Sequence, residues 1–353
     1  MAESAAIFHY DVLKCVRTDY AFAGCSQCHD ICPEKAFVFR NNKLQLQQNH
    51  CTGCGACIGG CPSEALTLAT FDENQFALDF SHGKETVISC EKNGACLGAF
   101  DAEHYATMLI GRQSAIQCDL SGCRECELNG ENRVLPLIRH RIDEANRFVA
   151  SLGLEGTIEP LFQKPDTNPR RDFFKRLAKV AVATSVPKPE TTHINPTTTP
   201  VPLKRTILKN ALKTVAESIA EVTLETPFDF LGNQAIDKER CTHCGDCVSF
   251  CPTGALFADD SGEKIYFQTG KCITCDICHQ ICKPDAITND PRIEAVSLAF
   301  DKAKLLVHHT IAVCDQCKCA FVQKEAETTC PQCRTFNDDF ADMFKPAYLL
   351  NGK

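Results

Sequence analysis

Three stretches of this 353-residue chain space cysteine as Cys-x2-Cys-x2-Cys-x3-Cys. They are Cys51, Cys54, Cys57 and Cys61; Cys241, Cys244, Cys247 and Cys251; and Cys272, Cys275, Cys278 and Cys282. A fourth stretch, Cys25, Cys28 and Cys32, has Phe22 where its first cysteine would stand. The nearest upstream thiol is Cys15, separated from Cys25 by the nine residues VRTDYAFAG. Thiolates are soft ligands suited to iron–sulfur clusters and zinc. Three of them at i, i+3 and i+6 let one tight loop wrap a face of a [4Fe–4S] cubane. Gly55 and Gly245 permit close backbone approach, so that amide N–H groups point at the sulfides. The proline after the fourth cysteine has a fixed φ and no N–H. It is expected to steer the chain into a short helix whose alanine (Ala36, Ala65, Ala255) leaves room beside the cluster. In the last stretch Lys283 precedes Pro284, a one-residue delay of that turn that should spare the ligand.

Cysteine is the outlier of the composition: 26 residues, against three Met and no Trp. In a short secreted chain this would mean disulfides. Here the start, MAESAAIFHYDVLK, lacks the basic end and apolar core of a secretory signal, and the thiols fall in Cys-x2-Cys clusters. Metal thiolates in a reducing cytoplasm are the expectation. The net charge of −8 is mildly acidic, no apolar run is long enough to span a membrane, and no motif points to nucleic acid.

The four stretches come as two pairs about 190 residues apart. Each pair resembles the bacterial two-cluster ferredoxin family, in which the fourth cysteine of each loop ligates the neighbouring cluster. The resemblance implies four [4Fe–4S] clusters with crossed ligands. One takes Cys51, Cys54, Cys57 and Cys32; its partner takes Cys25, Cys28, Cys61 and one more. In the second pair, Cys241, Cys244, Cys247 and Cys282 hold one cluster, and Cys272, Cys275, Cys278 and Cys251 the other. Cys15 is the candidate for the missing ligand, because loop-closure entropy grows slowly with loop length. The rival is a three-cysteine [3Fe–4S] site with Cys15 a free thiol.

Residues 71–165 change character. Glu85–Cys90 and Ser114–Cys118 read as buried strands. LPLIRHRIDEANRFVASLG reads as an amphipathic helix burying Leu137, Ile138, Ile142, Ala145, Phe148, Val149 and Leu152, with Gly153 as C-cap. Strands alternating with helices predict a small α/β unit. Four of its five cysteines at strand ends could hold a [2Fe–2S] cluster. Through CEKNGAC, GCREC and RIDEANRFVASLGLEG the segment resembles the small iron–sulfur subunit of methyl-viologen-reducing hydrogenases. That resemblance implies ligands Cys90, Cys96, Cys123 and Cys126, with Cys118 spare. The other reading is a core of buried thiols, since free Cys packs as a small hydrophobe.

Between Lys164 and Lys213 stand eleven Lys or Arg and three acidic residues, a local charge of +8 that leaves −16 for the rest. RRDFFKRLAKVAVA resembles a twin-arginine export signal but begins at Arg170, so a basic helix is expected. Ser185–Pro202 reads as a disordered Pro/Thr-rich linker. LKRTILKNALKTVAESIAEV after it reads as a helix with Leu203, Ile207, Leu208, Ala211, Leu212, Val215 and Ile219 on one stripe. The basic stretch is a candidate surface for an acidic partner or a partner's chaperone.

Near the C-terminus, Cys314-x2-Cys317 and Cys330-x2-Cys333 suit tetrahedral S4 binding of one metal. The segment looks like a zinc ribbon without the usual glycine after each knuckle. Zn2+ and rubredoxin-like iron both fit, and Cys319 competes with Cys317 for the register.

The expected fold is α+β. It comprises a dicluster ferredoxin-like (βαβ-type) module at 1–70, the α/β unit at 71–165, basic helix, linker and helix at 166–227, a second dicluster module at 228–300 and a zinc-ribbon-like module at 301–353. The expected function is that of a polyferredoxin, a cytoplasmic electron carrier and not itself an enzyme, since no dinucleotide fingerprint, nucleophile or open metal site is evident. The layout also resembles iron–sulfur proteins found with molybdenum formate dehydrogenases, which makes a formate dehydrogenase or hydrogenase the first partner to test. The alternative is an accessory factor in the maturation of such an enzyme. If Cys15 is a ligand, Cys15→Ala converts one cubane into a [3Fe–4S] centre visible by EPR. A spectrum unchanged by the substitution would show that Cys15 binds nothing.

Overall fold

The computed structural model describes residues 8–19, 23–41, 43–163, 201–225, 227–323 and 326–340. The twin-arginine-like stretch and nearly all of the Pro/Thr-rich linker lie outside them. The first dicluster segment runs β1 (Phe8–Tyr10), α1 (Val16–Asp19), α2 (Gln27–Ile31), β2 (Phe37–Arg40), β3 (Lys43–Leu46), α3 (Ala56–Gly60) and β4 (Leu66–Leu68). β4 returns antiparallel to β1 with Leu66 opposite Tyr10, and β2 and β3 form a hairpin. Both ladders are antiparallel, and strands and helices alternate in the β-α-β-β-α-β order of a ferredoxin-like module. The helices between the strands are only four or five residues long. Helices this short are not stable alone and depend on tertiary contact.

The central unit follows with α4 (Glu73–His82), β5 (Val87–Ser89), α5 (Cys90–Asn93), α6 (Ala102–Arg112), β6 (Ile116–Asp119), α7 (Val134–Ser151) and β7 (Ile158–Leu161). Its three strands are parallel in the order β5-β6-β7. Ile138, Ile142, Ala145, Phe148 and Val149 of α7 are buried, and Gly153 sits at φ +70 just past the helix end.

The chain resumes with α8 (Leu203–Thr214) and β8 (Thr223–Leu224). α8 stops earlier than its stripe suggested, and Leu203 at its first turn is 49% exposed. Ile207, Leu208 and Leu212, with Val215 and Ile219 beyond the helix, pack into the core of the central unit. The second dicluster segment runs β9 (Gln234–Ile236), α9 (Asp246–Ser249), β10 (Leu256–Ala258), β11 (Lys264–Phe267), α10 (Ile277–Ile281) and β12 (Ile287–Asn289). β9 pairs antiparallel with β12 and β10 with β11, the plan of the first segment repeated. Then come β13 (Ile293–Glu294), α11 (Ala295–Phe300) and β14 (Lys304–His308), with β13 on β8 and β14 on β11. The hairpin β15 (Ile311–Val313) and β16 (Ala320–Val322) and the helix α12 (Pro331–Phe340) close the described chain. Among the described residues no helix is long and apolar enough to cross a membrane.

A buried charge cluster joins these parts. Lys204 and Arg205 open α8, and Asp101 and Glu103 open α6. Lys204 Nζ donates to Asp101 Oδ2 at 2.5 Å, to the Cys61 carbonyl at 3.0 Å and to the Gly59 carbonyl at 3.3 Å. Arg205 donates to Glu103, to the Phe230 carbonyl and, at 2.6 Å, to the Cys272 carbonyl. Arg141 from α7 donates to the carbonyls of Gly98 and Phe100 at 2.8 and 2.9 Å. Burial alone would raise the Asp101 carboxyl, but Lys204 and Arg141 outweigh it and hold it down at about 2. Burial drives His104 down to about 3; neutral, it accepts from the Asp101 amide and donates to Asn74. Lys204, Arg205 and Lys209, which pairs with Asp301, are thus committed internally. The basic stretch does not present them to a partner, because each finds its counter-ion within the fold.

Breaking a buried pair costs about 3–5 kcal/mol, because the remaining charge loses its partner. Arg205→Met is therefore expected to lower the unfolding midpoint sharply. Adding Glu103→Leu to it should recover most of the loss.

Candidate cofactor sites

In the first dicluster segment, Cys15, Cys25, Cys28 and Cys61 line one small apolar cavity. Cys15 arrives at the start of α1 and is buried, within hydrogen-bond reach of the Tyr10 hydroxyl. Arg17 Nη1 donates to the Cys25 carbonyl at 2.6 Å, tying α1 to the ligand loop across the inserted residues. Burial, opposed by a hydrogen bond from the Gln27 amide, pushes the Cys25 thiol up to about 11, and the neighbouring Cys61 and Cys15 add to it. Burial likewise pushes Cys57 well up, with Cys54, Cys28, Cys32 and Cys51 around it. Cys32, the fourth cysteine of its loop, thus lies with the thiols of the other loop.

The second segment repeats the arrangement. Cys241, Cys244, Cys247 and Cys282 line a second small apolar cavity. Burial pushes Cys247 up to about 12, with Cys241, Cys244 and Cys282 as neighbours. Burial also pushes Cys275 up to about 12, against the Ile277 amide, beside Cys272 and Cys251. A thiol loses its proton when it ligates a metal, so cluster binding at these buried sites releases protons. Four thiols around an apolar cavity suit a polynuclear cluster rather than a single ion.

The backbone shows how the loops are aimed. In three loops the residues on either side of the second cysteine have positive φ: Gly53 and Gly55, His243 and Gly245, Thr274 and Asp276. Such alternation turns successive amides into one concavity, an anion-binding nest. Gly55 also lacks room for a side chain, since a Cβ there would stand 3.0 Å from that of Ala99. Three residues after each fourth cysteine, Lys35, Glu64, Gly254 and Asp285 also have positive φ. Each reverses the chain so that a following amide donates back to the sulfur. Ala36 reaches Cys32 Sγ at 3.3 Å, Ala65 reaches Cys61 at 3.3 Å, Leu256 reaches Cys251 at 3.4 Å and Ala286 reaches Cys282 at 3.2 Å.

This corrects two expectations. The proline leads into a turn and then a strand, and the short helix lies before the fourth cysteine instead. Lys283 delays nothing: Asp285 keeps the left-handed place three residues on, because the proline has moved and no residue has been inserted. Sequence reasoning missed this turn because three of its four left-handed residues are not glycine.

The central cysteines gather at the carboxyl ends of the parallel strands, where open α/β sheets bind ligands. Cys90 follows β5, and Cys123 and Cys126 follow β6. Burial pushes Cys123 up to about 11, with Cys90 and Cys126 nearby, and Cys96 up to about 12, with Cys54, Cys123 and Cys90 nearby. Cys118 is fully buried in the core within β6.

At the C-terminal end, the Sγ atoms of Cys314, Cys317, Cys330 and Cys333 all lie within 4.8 Å of one another. Among the described residues this is the one set of four thiols so close. The Cys317–Cys330 separation is 3.7 Å, against about 3.8 Å for the edge of an MS4 tetrahedron with 2.3 Å bonds. Hydrogen bonds from the Cys330 and Cys317 amides draw the Cys314 thiol down to about 6. Cys319 stands outside the group, exposed, its thiol toward the Cys317 carbonyl.

Comparison with known proteins agrees with this geometry. Residues 23–65 and residues 234–283 each match a family described as 4Fe–4S dicluster domain. The chain therefore carries two such domains, which implies four [4Fe–4S] clusters. It is 38% identical over 52 residues to the archaeal-type glutamate synthase (NADPH) of Thermotoga maritima, covering 15% of this chain and 10% of that protein. It is 44% identical over 56 residues to the ferredoxin-type protein NapF of Haemophilus influenzae, covering 14% and 32%. It is 41% identical over 54 residues to the pyruvate synthase subunit PorD of Methanocaldococcus jannaschii, covering 15% and 60%. The chain thus spans a tenth of the first of these relatives and less than two thirds of the others.

The C-terminal group gives a direct test. Cys317→Ser is expected to remove about one metal ion per chain. Cys319→Ser should leave the content unchanged, as read by elemental analysis. Loss in the Cys319→Ser variant, with the content kept in Cys317→Ser, would move the knuckle to Cys319.

Proposed function

We propose that this protein is an electron carrier of the polyferredoxin type that exchanges single electrons with a redox enzyme. When bound, its clusters supply one-electron chemistry at potentials set by charge, hydrogen bonds and exposure. The four ligand sets are those given by crossed ligation, with Cys15 completing the set of Cys25, Cys28 and Cys61. Cys90, Cys96, Cys123 and Cys126 are proposed to hold a [2Fe–2S] cluster, and Cys314, Cys317, Cys330 and Cys333 a structural Zn2+.

The observation that carries this reading is the repeated ligand loop: cysteines around an apolar cavity, followed by a left-handed residue and an amide that donates to the fourth sulfur. The protein's part is to hold the thiolates, direct backbone dipoles at the sulfurs and exclude water. The names of two relatives, a ferredoxin-type protein and a subunit of pyruvate synthase, fit a carrier working beside a larger oxidoreductase. Formate dehydrogenase and hydrogenase are the first partners to test, in a reducing compartment such as the cytoplasm.

Anaerobic protein mixed with a purified formate dehydrogenase and formate, or with a hydrogenase and hydrogen, is expected to lose its visible iron–sulfur absorbance on the timescale of enzyme turnover. Binding confined to the immature enzyme, with the absorbance unchanged, would contradict the carrier reading and favour a maturation factor.

A further inference from the structure

The two dicluster domains, far apart in sequence, meet through their ligand loops. Val16, Ala23, Ile273 and Ile277 form one buried apolar cluster, with Cys25 and Cys275 packed against it. The Gly24 amide donates to Gln280 Oε1 at 2.9 Å, from the residue beside Cys25 to the helix that carries Cys278. A Cβ at Gly24 would stand 3.0 Å from Gln280 Nε2, the end of that side chain. Lys204 and Arg205, adjacent on α8, reach one inner site each: Lys204 the carbonyl of Cys61, Arg205 that of Cys272.

The other neighbouring sets share apolar clusters: Cys28 and Cys57 pack in one, Cys247 and Cys278 in another, and Cys54 and Cys96 in a third. Read in order, the sets make a row: the central cysteines, the Cys51 loop set, the Cys15 set, the Cys272 loop set and the Cys241 loop set. The thiols most open to solvent stand at its two ends. Cys90 and Cys126 are exposed at one and Cys244 at the other, while no cysteine of the three sets between them is exposed.

We infer that the seam between Cys25 and Cys275 joins the two dicluster domains into one continuous electron path, entered and left at its exposed ends. Resting on the cluster assignment proposed above, the inference adds the order of the sites and the two ends at which electrons enter and leave. Tunnelling weakens steeply with distance, so contact between ligand loops, rather than between outer strands, is the arrangement that carries electrons across. Each hop oxidises one site by one electron and reduces its neighbour by one. A reductant protein at one end and an oxidant protein at the other close the balance.

The test is photoreduction of the full-length protein by less than one electron per chain, with the redistribution followed over a range of protein concentrations. A single path predicts redistribution over all four [4Fe–4S] sites at a rate independent of concentration. It also predicts a slowing of at least about tenfold in an Ile277→Arg/Gln280→Ala variant that retains ~16 Fe from four cubanes. A concentration-dependent phase in the unaltered protein would mean that electrons pass between domains only by collision, and would overturn the inference. So would an unchanged rate in the seam variant. This wild-type measurement stands even if the variant fails to assemble. Protein that lacks the iron, or accepts no electron, would overturn the functional reading as well.

Discussion

The meeting of two cations with two carboxylates between α8 and α6 is the contact on which the arrangement of the sites depends. Lys204 and Arg205 are consecutive, yet one holds a ligand loop of the first dicluster domain and the other a ligand loop of the second. Asp101 and Glu103 anchor both to the central unit. A buried ion pair is weak evidence of stability in itself. Here its geometry fixes position, because each cation also satisfies backbone carbonyls of the loops. They act beside the seam of Val16, Ala23, Ile273 and Ile277, the Gly24–Gln280 hydrogen bond and the shared apolar core.

The ligand chemistry was plain in the sequence, because thiol spacing is dictated by the cluster. The repeated motif gave the two dicluster domains, and the strand and helix periods of residues 85–152 gave two of the three strands of the central sheet and α7. The boundaries were less legible. Pattern placed the α8 helix in a linker region, whereas its apolar stripe completes the central core. The turn after each fourth cysteine was hidden because Lys35, Glu64 and Asp285 carry no local sign of a left-handed conformation.

Lys204 and Arg205 were the hardest to read. In sequence they belong to a run with a charge of +8, and a run of that kind normally faces solvent or a partner. Only the three-dimensional position of Asp101, Glu103 and the Cys61 and Cys272 carbonyls changes their meaning. Cys15 is the converse case. Its spacing is irregular, yet the fold returns it to the cavity lined by Cys25, Cys28 and Cys61, with Arg17 bridging back to the Cys25 carbonyl.

The account stands on how many clusters this chain holds and of what kind. Iron, sulfide and zinc counts with EPR on anaerobically purified full-length protein measure that directly. The account predicts ~16 Fe from four cubanes, ~2 more from the central cysteines, ~1 Zn, and signals from [4Fe–4S] centres on reduction. Iron near half that number, or a protein that stays EPR-silent after reduction with dithionite, would contradict it.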